Sequence, residues 1–462
     1  MDFPANLTPF SQSVLHPAIE NALGRLTREL NFSSPPDSSN PIHEQGPRPF
    51  LAELTWVTWG GSAPEIGRLL GVDPPVSSRK GKPGQGMKQT QVALLDFANA
   101  YVRLRRWAEW VFASEWSQAQ LLQVMEEVEP RVAEALYWVY ALAVAAAGSY
   151  HHLGFLLSKK EKTPARAEAM RLGIVSGLET PDSRFLHCLA LGKPVEELRE
   201  AFGHLPLAPE GEIALPRVMD APDNLLETPP VEVWNWDQGR AQKRRAEEEK
   251  RAIAQAGMLG RSGMKKAIDL TQRTLTAHAQ AREGLAYVLA AARHWALAAA
   301  EEGASDGRIH HPDEIFMLEI EEIKQMMTGE WHSRAHVDSL IEARRTAHEA
   351  TSATDAAHGN PLGVAGYDTE GVLVQFQSPA ELSRGIPPGF MALAGNWHPG
   401  WWQVALKAEG LIDRGGHVLN WLASIARSGN LPALIGGAAY AEWGSGVRIR
   451  LDPARNRAET VD

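Results

Sequence analysis

A mainly α-helical body followed by a small C-terminal α/β domain is the fold class that the sequence predicts. Three observations carry that expectation. Apolar residues recur at intervals of three and four over residues 17–30 and 91–157, the spacing that lines one face of a helix. The mixed-charge run 240–251 (RAQKRRAEEEKR) leads into an alanine-rich stretch over 265–302, which together predict a long helical hairpin. Beyond Gly363 the pattern changes: residues 363–376 and 446–451 (GVRIRL) alternate, and Gly and Pro become frequent, as in a small strand-containing domain.

A chain of 462 residues has room for two to four domains at about 150 residues each. Hydrophobic residues at 44% and charged residues at 22% place it among globular chains and argue against disorder. The 46 basic against 56 acidic side chains give a net charge of -10, so no general basic surface exists and nucleic acid is not an expected partner. Cys188 is the only cysteine, which excludes an intramolecular disulfide and any cysteine-built metal cage; a reducing, cytoplasmic setting is expected. The N-terminus lacks the pattern of a signal peptide. The most apolar helical run, 135–147, falls short of the roughly 20 residues of a membrane span, so it reads as a buried helix and no membrane is expected as a partner.

Loops are expected where Ser, Pro and Gly crowd, over 32–49 and 76–87. Residues 203–230 carry Pro206, Pro209, Pro216, Pro222, Pro229 and Pro230, which exclude a long helix and predict an extended connector on the surface of the helical body. The small, polar stretch 351–361 (TSATDAAHGNP) reads as a linker, dividing the chain into a helical region 1–352, a linker 353–361 and a C-terminal domain 362–462.

Most motif candidates fail on their chemistry. Residues 81–88 place glycines as a phosphate-binding loop does, but Met87 stands where lysine is needed. His332 and His336 have metal-ligand spacing without the glutamate of a zinc hydrolase, and the adjacent pairs His151–His152 and His310–His311 diverge. No metal and no cofactor are expected. Five of the fifteen tryptophans (Trp397, Trp401, Trp402, Trp421 and Trp443) lie in the last 66 residues; they read as core, with an aromatic-lined pocket as the alternative.

The most informative stretch is 396–436. A strand ending in Gly415-Gly416, a helix through Ala423 to Arg427 and a Leu431-Pro432 turn into an apolar strand place a helix N-terminus at an exposed glycine turn, a geometry that suits phosphate. Here the sequence resembles the swivelling phosphohistidine domain of the phosphoenolpyruvate-utilising enzymes: phosphoenolpyruvate synthase, pyruvate phosphate dikinase and rifampicin phosphotransferase. Gly415, Gly416, Ile425, Ala426, Arg427, Leu431, Pro432, Ala433 and Gly436 match its pattern. Upstream, residues 6–17, Phe202-Gly203-His204, Pro216-Arg217, residues 307–323 and the Asn396-Trp397-His398-Pro399-Gly400-Trp401 segment follow the family's central region in order, so the resemblance covers most of the chain.

Two departures bear on function. Nothing here resembles the family's ATP-grasp portion, and the carrier-histidine position falls on Asn420 or Trp421, neither of which can form a phosphoramidate. The resemblance therefore implies a non-catalytic or accessory member of a phosphotransfer-type system, whose C-terminal domain docks rather than shuttles phosphate. A rival reading has a separate ATP-grasp subunit phosphorylate His417, the displaced histidine in the turn, for delivery to a small organic acceptor. A third reading is a binding protein for an aromatic or hydrophobic small molecule. In the first two, Gly415, Gly416, Asn420, Trp421, Arg427 and His398 are the candidate substrate-binding positions.

Overall fold

The computed structural model describes residues 7–30, 46–75, 81–209, 211–226, 235–330, 333–350, 361–384, 386 and 388–461. Most of the linker 353–361 and His332 of the His332–His336 pair lie outside them. Helix α1 (Pro9–Glu29) is capped by the Thr8 hydroxyl. Helices α2 (Arg48–Trp59) and α3 (Ala63–Leu70) are separated by Gly60 and Gly61, whose φ of 67° and 103° makes a turn that L side chains rarely adopt. The apolar block expected over 91–157 forms two helices, α4 (Pro83–Phe112) and α5 (Gln118–Ser158), and a Ser117–Gln120 capping box restarts the second. Three shorter helices follow: α6 (Pro164–Ile174), α7 (Pro181–Ala190) and α8 (Val195–Phe202). The first two start at Thr-Pro pairs, with threonine as N-cap and proline at the first position, where its missing N–H costs nothing.

The expected hairpin is α9 (Gln238–Gln255) and α10 (Gly257–Ser305). The chain breaks at Gly257, φ 67°, and folds back far enough for Gln272 Nε2 to donate to Glu249 Oε1 at 2.6 Å. Helices α11 (Ile320–Thr328) and α12 (Arg334–Ala350) end the body.

The 49-residue α10 lies along the 41-residue α5, with α1 and α4 packed against the pair. Small residues at the crossing let polar links form in the dry interior: Ser149 Oγ and Thr274 Oγ1 are 2.8 Å apart, and Thr271 donates to the Ser149 carbonyl at 3.1 Å. Helix α5 is long and apolar enough to cross a membrane by composition, yet 83% of its most apolar window is buried inside the fold, as expected for the 135–147 run.

The C-terminal part is one mixed sheet built from β1 (Leu362–Ala365), β2 (Thr369–Gln375), β3 (Phe390–Ala394), β4 (Gly410–Asp413), β5 (Ala433–Ile435), β6 (Arg448–Asp452) and β7 (Arg457–Thr460). Its order is β1-β5-β4-β3-β2-β6-β7; β2 to β5 run parallel, and β1, β6 and β7 pair antiparallel. Parallel neighbours need crossovers. Helix α13 (Trp402–Lys407) supplies the one between β3 and β4, and α14 (Trp421–Gly429) the one between β4 and β5. The chain is therefore mainly helical with a C-terminal mixed sheet.

Every residue of α14 is buried, because it is pressed between its own sheet and the helical body. The Trp236 indole donates to the Ile425 carbonyl (3.1 Å), Gly177 N to the Arg427 carbonyl (2.8 Å) and Asp237 N to the Gly429 carbonyl (3.3 Å).

The proline-rich segment differs from expectation. Among the described residues it contains no long helix, but it does not lie wholly on the surface: Glu212, Ile213, Arg217 and Val218 are buried, while Leu215, Pro216 and residues 222–225 are exposed. Glu212 does the positioning. Its carboxylate accepts from Thr8 N (2.7 Å), Thr8 Oγ1 (2.9 Å), Ser11 Oγ (2.6 Å) and Ala214 N (2.8 Å), tying the start of α1 to this segment.

Candidate functional site

Strand β4 ends at Asp413, and the next seven residues turn the chain into α14. Gly416 has φ 81°, which only glycine adopts without strain, and a Cβ there would lie 2.4 Å from Asp413 Oδ2. Asp413 organises the turn: Oδ1 accepts from Gly415 N at 3.2 Å and Oδ2 from Asn420 Nδ2 at 2.8 Å. Asn420 in turn caps α14, its Oδ1 accepting from Ala423 N at 2.9 Å. Local chemistry explains this arrangement: an Asx turn, a glycine in the left-handed region and an Asn N-cap are encoded within eight residues.

The turn predicted to be exposed is covered. Val418 N donates to the carbonyl of Leu69 at 3.0 Å, and the Gly416 carbonyl packs so closely on Gly71 that a Cβ on the latter would meet it at 2.5 Å. Gly415 and Gly416 are half-buried, and His417 is only 3% exposed. Burial drives the His417 imidazole well below its usual pKa, and the charges of Arg48, Arg282 and Arg427 act in the same direction. It is neutral at pH 7, and its Nδ1 accepts from Leu419 N at 3.3 Å, so the ring lone pair is already engaged.

The remaining predicted residues divide into two places. Trp421 and Arg427 lie on α14, both buried, the first at its start and the second donating from Nη1 to the Val418 carbonyl at 2.7 Å. Burial, aided by Arg282, brings the Arg427 guanidinium down to about pKa 10. His398 is elsewhere, capping the turn Pro399–Trp401 through Nδ1, which accepts from Gly400 N at 3.2 Å; burial lowers it to about 4. Of the tryptophans, Trp397, Trp401, Trp402 and Trp421 are buried core.

The arrangement closes on itself. A carboxylate already lies at the glycine turn, against the positive end of α14, and Asn420 has taken an amide there, so two features that would favour an added phosphate are in use.

The upstream motif residue His204 sits in a second buried network. Its ring stacks on Tyr287 with centroids 3.5 Å apart, and Nε2 lies 3.6 Å from Glu283 Oε1. Glu283 also accepts from Tyr101 (2.5 Å) and Arg184 (3.2 Å). Burial pushes its carboxyl up, but His204, Tyr101 and Arg184 outweigh it and hold the group ionised.

A third polar group, missed in the sequence, lies at the wall of a large cavity of about 1020 Å³. Arg171, 2% exposed, bridges Glu168 (2.6 Å) and Glu65 (3.4 Å), and Glu65 Oε2 is 3.2 Å from His151 Nδ1. Glu168 and Arg171 stand three apart on α6, but no sequence spacing joins them to positions 65 and 151; only the crossing of α3, α5 and α6 does. Burial acts to raise the Glu65 carboxyl, but the His151 hydrogen bond and the charge of Arg171 bring it down to about 2. Since the folded pKa lies below the unfolded value of 4.5, the unfolded chain binds the extra proton between those values, and stability from this group is lost as pH falls through that window. Relative to Glu65→Gln, the wild type should be about 2 kcal/mol more stable at pH 7, and the gap should close by pH 2 in urea titrations. An unchanged gap at low pH would refute the ion-paired assignment.

Among the described residues, no group of three or more His, Cys, Asp or Glu could hold a metal ion. No protein-family model matches the chain, and no curated protein matches it.

Proposed function

We propose that the chain is a phosphoenolpyruvate-synthase-like protein that works without phosphohistidine chemistry, as an accessory member of a phosphotransfer-type system whose C-terminal unit stays docked on the helical body. One observation carries this reading: the position of the family's carrier residue falls on Asn420 or Trp421, the first with its side chain bonded to Asp413 and Ala423 N and the second buried, while the nearest histidine, His417, is buried with its Nδ1 occupied by a backbone N–H. A carrier histidine must present a free nitrogen in line with a phosphoryl donor, and errors of 1 Å are costly to such transfer. The many contacts of α14 with the body support docking over swinging.

The experiment is intact-mass and acid-labile phosphate analysis of the protein purified from its own host, repeated after incubation with ATP and host lysate. The expected mass is unmodified, and His417→Ala behaves identically. A gain of one acid-labile, base-stable phosphate that disappears in His417→Ala overturns the proposal in favour of a phosphate carrier served by a separate ATP-binding subunit.

A further inference from the structure

The hairpin of α9 and α10 turns at Gly257 and sets two apolar side chains in solvent: Met258 is 90% exposed and Leu259 99%. The turn is anchored on both sides. Ala256 before it and Met264 after it are buried in one apolar cluster with Leu153 and Leu157 of α5, so the end of the hairpin is held against the body while its tip stands clear. A Cβ at Gly257 or Gly263 would meet no atom within 4 Å, so no described residue covers this tip.

The charge around the tip runs against that of the chain. The whole sequence stands at -10, yet residues 250–266 carry five basic side chains, all exposed, and no acid. Gln255 donates to Glu161 at 2.9 Å, which brings the end of α5 alongside, where residues 158–162 add three exposed lysines against that one glutamate. Adding Glu249 and Asp269, the next acids along the two helices, leaves the excess positive. Two large apolar side chains left in water forgo the gain of burial, and apolar residues ringed by cations are the pattern of a segment that enters an anionic interface.

We propose that this end of the hairpin docks on an anionic lipid surface, with Met258 and Leu259 entering between the headgroups and the surrounding Lys and Arg side chains on the headgroup phosphates. A protein partner fits less well: a specific interface buries about 800 Å² per side, more than an apolar tip of two helices each about 10 Å wide offers, and lysine is depleted from such interfaces. The expectation of no membrane partner rests on the lack of a spanning run, which docking on a surface does not need. The inference stands apart from the accessory-protein reading, since it requires nothing of His417 or α14.

The test is co-sedimentation of the full chain with sucrose-loaded vesicles of phosphatidylcholine, alone or with about 30% phosphatidylglycerol. Because the chain as a whole is anionic, binding to the second kind and not to the first reads the local excess. Binding should be weakened at least tenfold by Met258→Ser with Leu259→Ser, about tenfold by Lys265→Gln with Lys266→Gln, and should fall as salt rises. Leu191→Ser, which alters a leucine 61% exposed just after α7, should bind as the wild type does. All these positions are exposed, so far-UV circular dichroism should not change and the losses read docking and not folding. No binding to the anionic vesicles, equal binding to both kinds, or binding that the Met258 and Leu259 changes leave intact overturns the proposal. So does a dimer in solution that these changes dissociate, which would give the tip to a second copy of the chain.

Discussion

Glu212→Ala is expected to destabilise the protein by about 4 kcal/mol, the range for removing one partner from a buried, charge-assisted network. The carboxylate is 5% exposed and takes four donors, from Thr8, Ser11 and Ala214. Truncation takes the acceptor from the buried Thr8 amide and Ser11 hydroxyl and from the half-buried Ala214 amide, leaves the Thr8 hydroxyl only Ser11 Oγ, and lets water into the start of α1. Glu212→Gln should cost about half as much, since its amide keeps one acceptor oxygen and turns an NH₂ toward the remaining donors. Urea unfolding followed by far-UV circular dichroism measures both. A loss below about 1 kcal/mol for the alanine variant would show that this segment is not what holds α1 in place.

The second large effect is expected at Gly429, the last residue of α14. A Cβ there would lie 1.9 Å from Cδ1 of Trp236, which is itself 5% exposed and held by its hydrogen bond to Ile425. Gly429→Val must therefore expel the indole from its site, at about the 4 kcal/mol of a buried Trp→Ala change. Amides of α14 should lose exchange protection while those of α5 and α10 keep theirs, because the sheet loosens from the body without melting it. Trp236→Ala vacates the space, so the double variant should be more stable than the sum of the two single losses. Strict additivity would mean that the two residues do not press on each other. As α14 loosens, the His417 imidazole should rise toward its ordinary pKa and react with diethyl pyrocarbonate, as read by peptide mapping, whereas in the wild type its burial should protect it.

Local structure was legible wherever its cause was local. The apolar period that marks 91–157 is realised in α4 and α5; the charge run and alanines of 240–302 are realised in α9 and α10. The strand, glycine turn, helix and strand read in 396–436 are β4, the Gly415–Gly416 turn, α14 and β5. Each of these depends on residues within about one helix turn of one another. The break at 113–117, which the periodicity ran through, comes from a Ser117 cap whose preference is weak against an apolar pattern continuing on both sides.

The amino-acid sequence by itself determined the helical body, the strand-bearing C-terminus, the Gly416 turn and the absence of histidine at positions 420 and 421. Only the tertiary structure decided what those pieces face. The turn is covered because Leu69, far away in the chain, accepts from Val418, and the proline-rich segment is drawn partly inward because Glu212 meets Thr8 and Ser11. The cavity opens because glycines at 148 and 154 admit Trp59 and Arg171 from other helices. The physical reason is common to all three. Secondary structure follows from side-chain period and backbone conformation within a few residues, whereas burial, pKa and the pairing of charges depend on which distant surfaces come to share one interior.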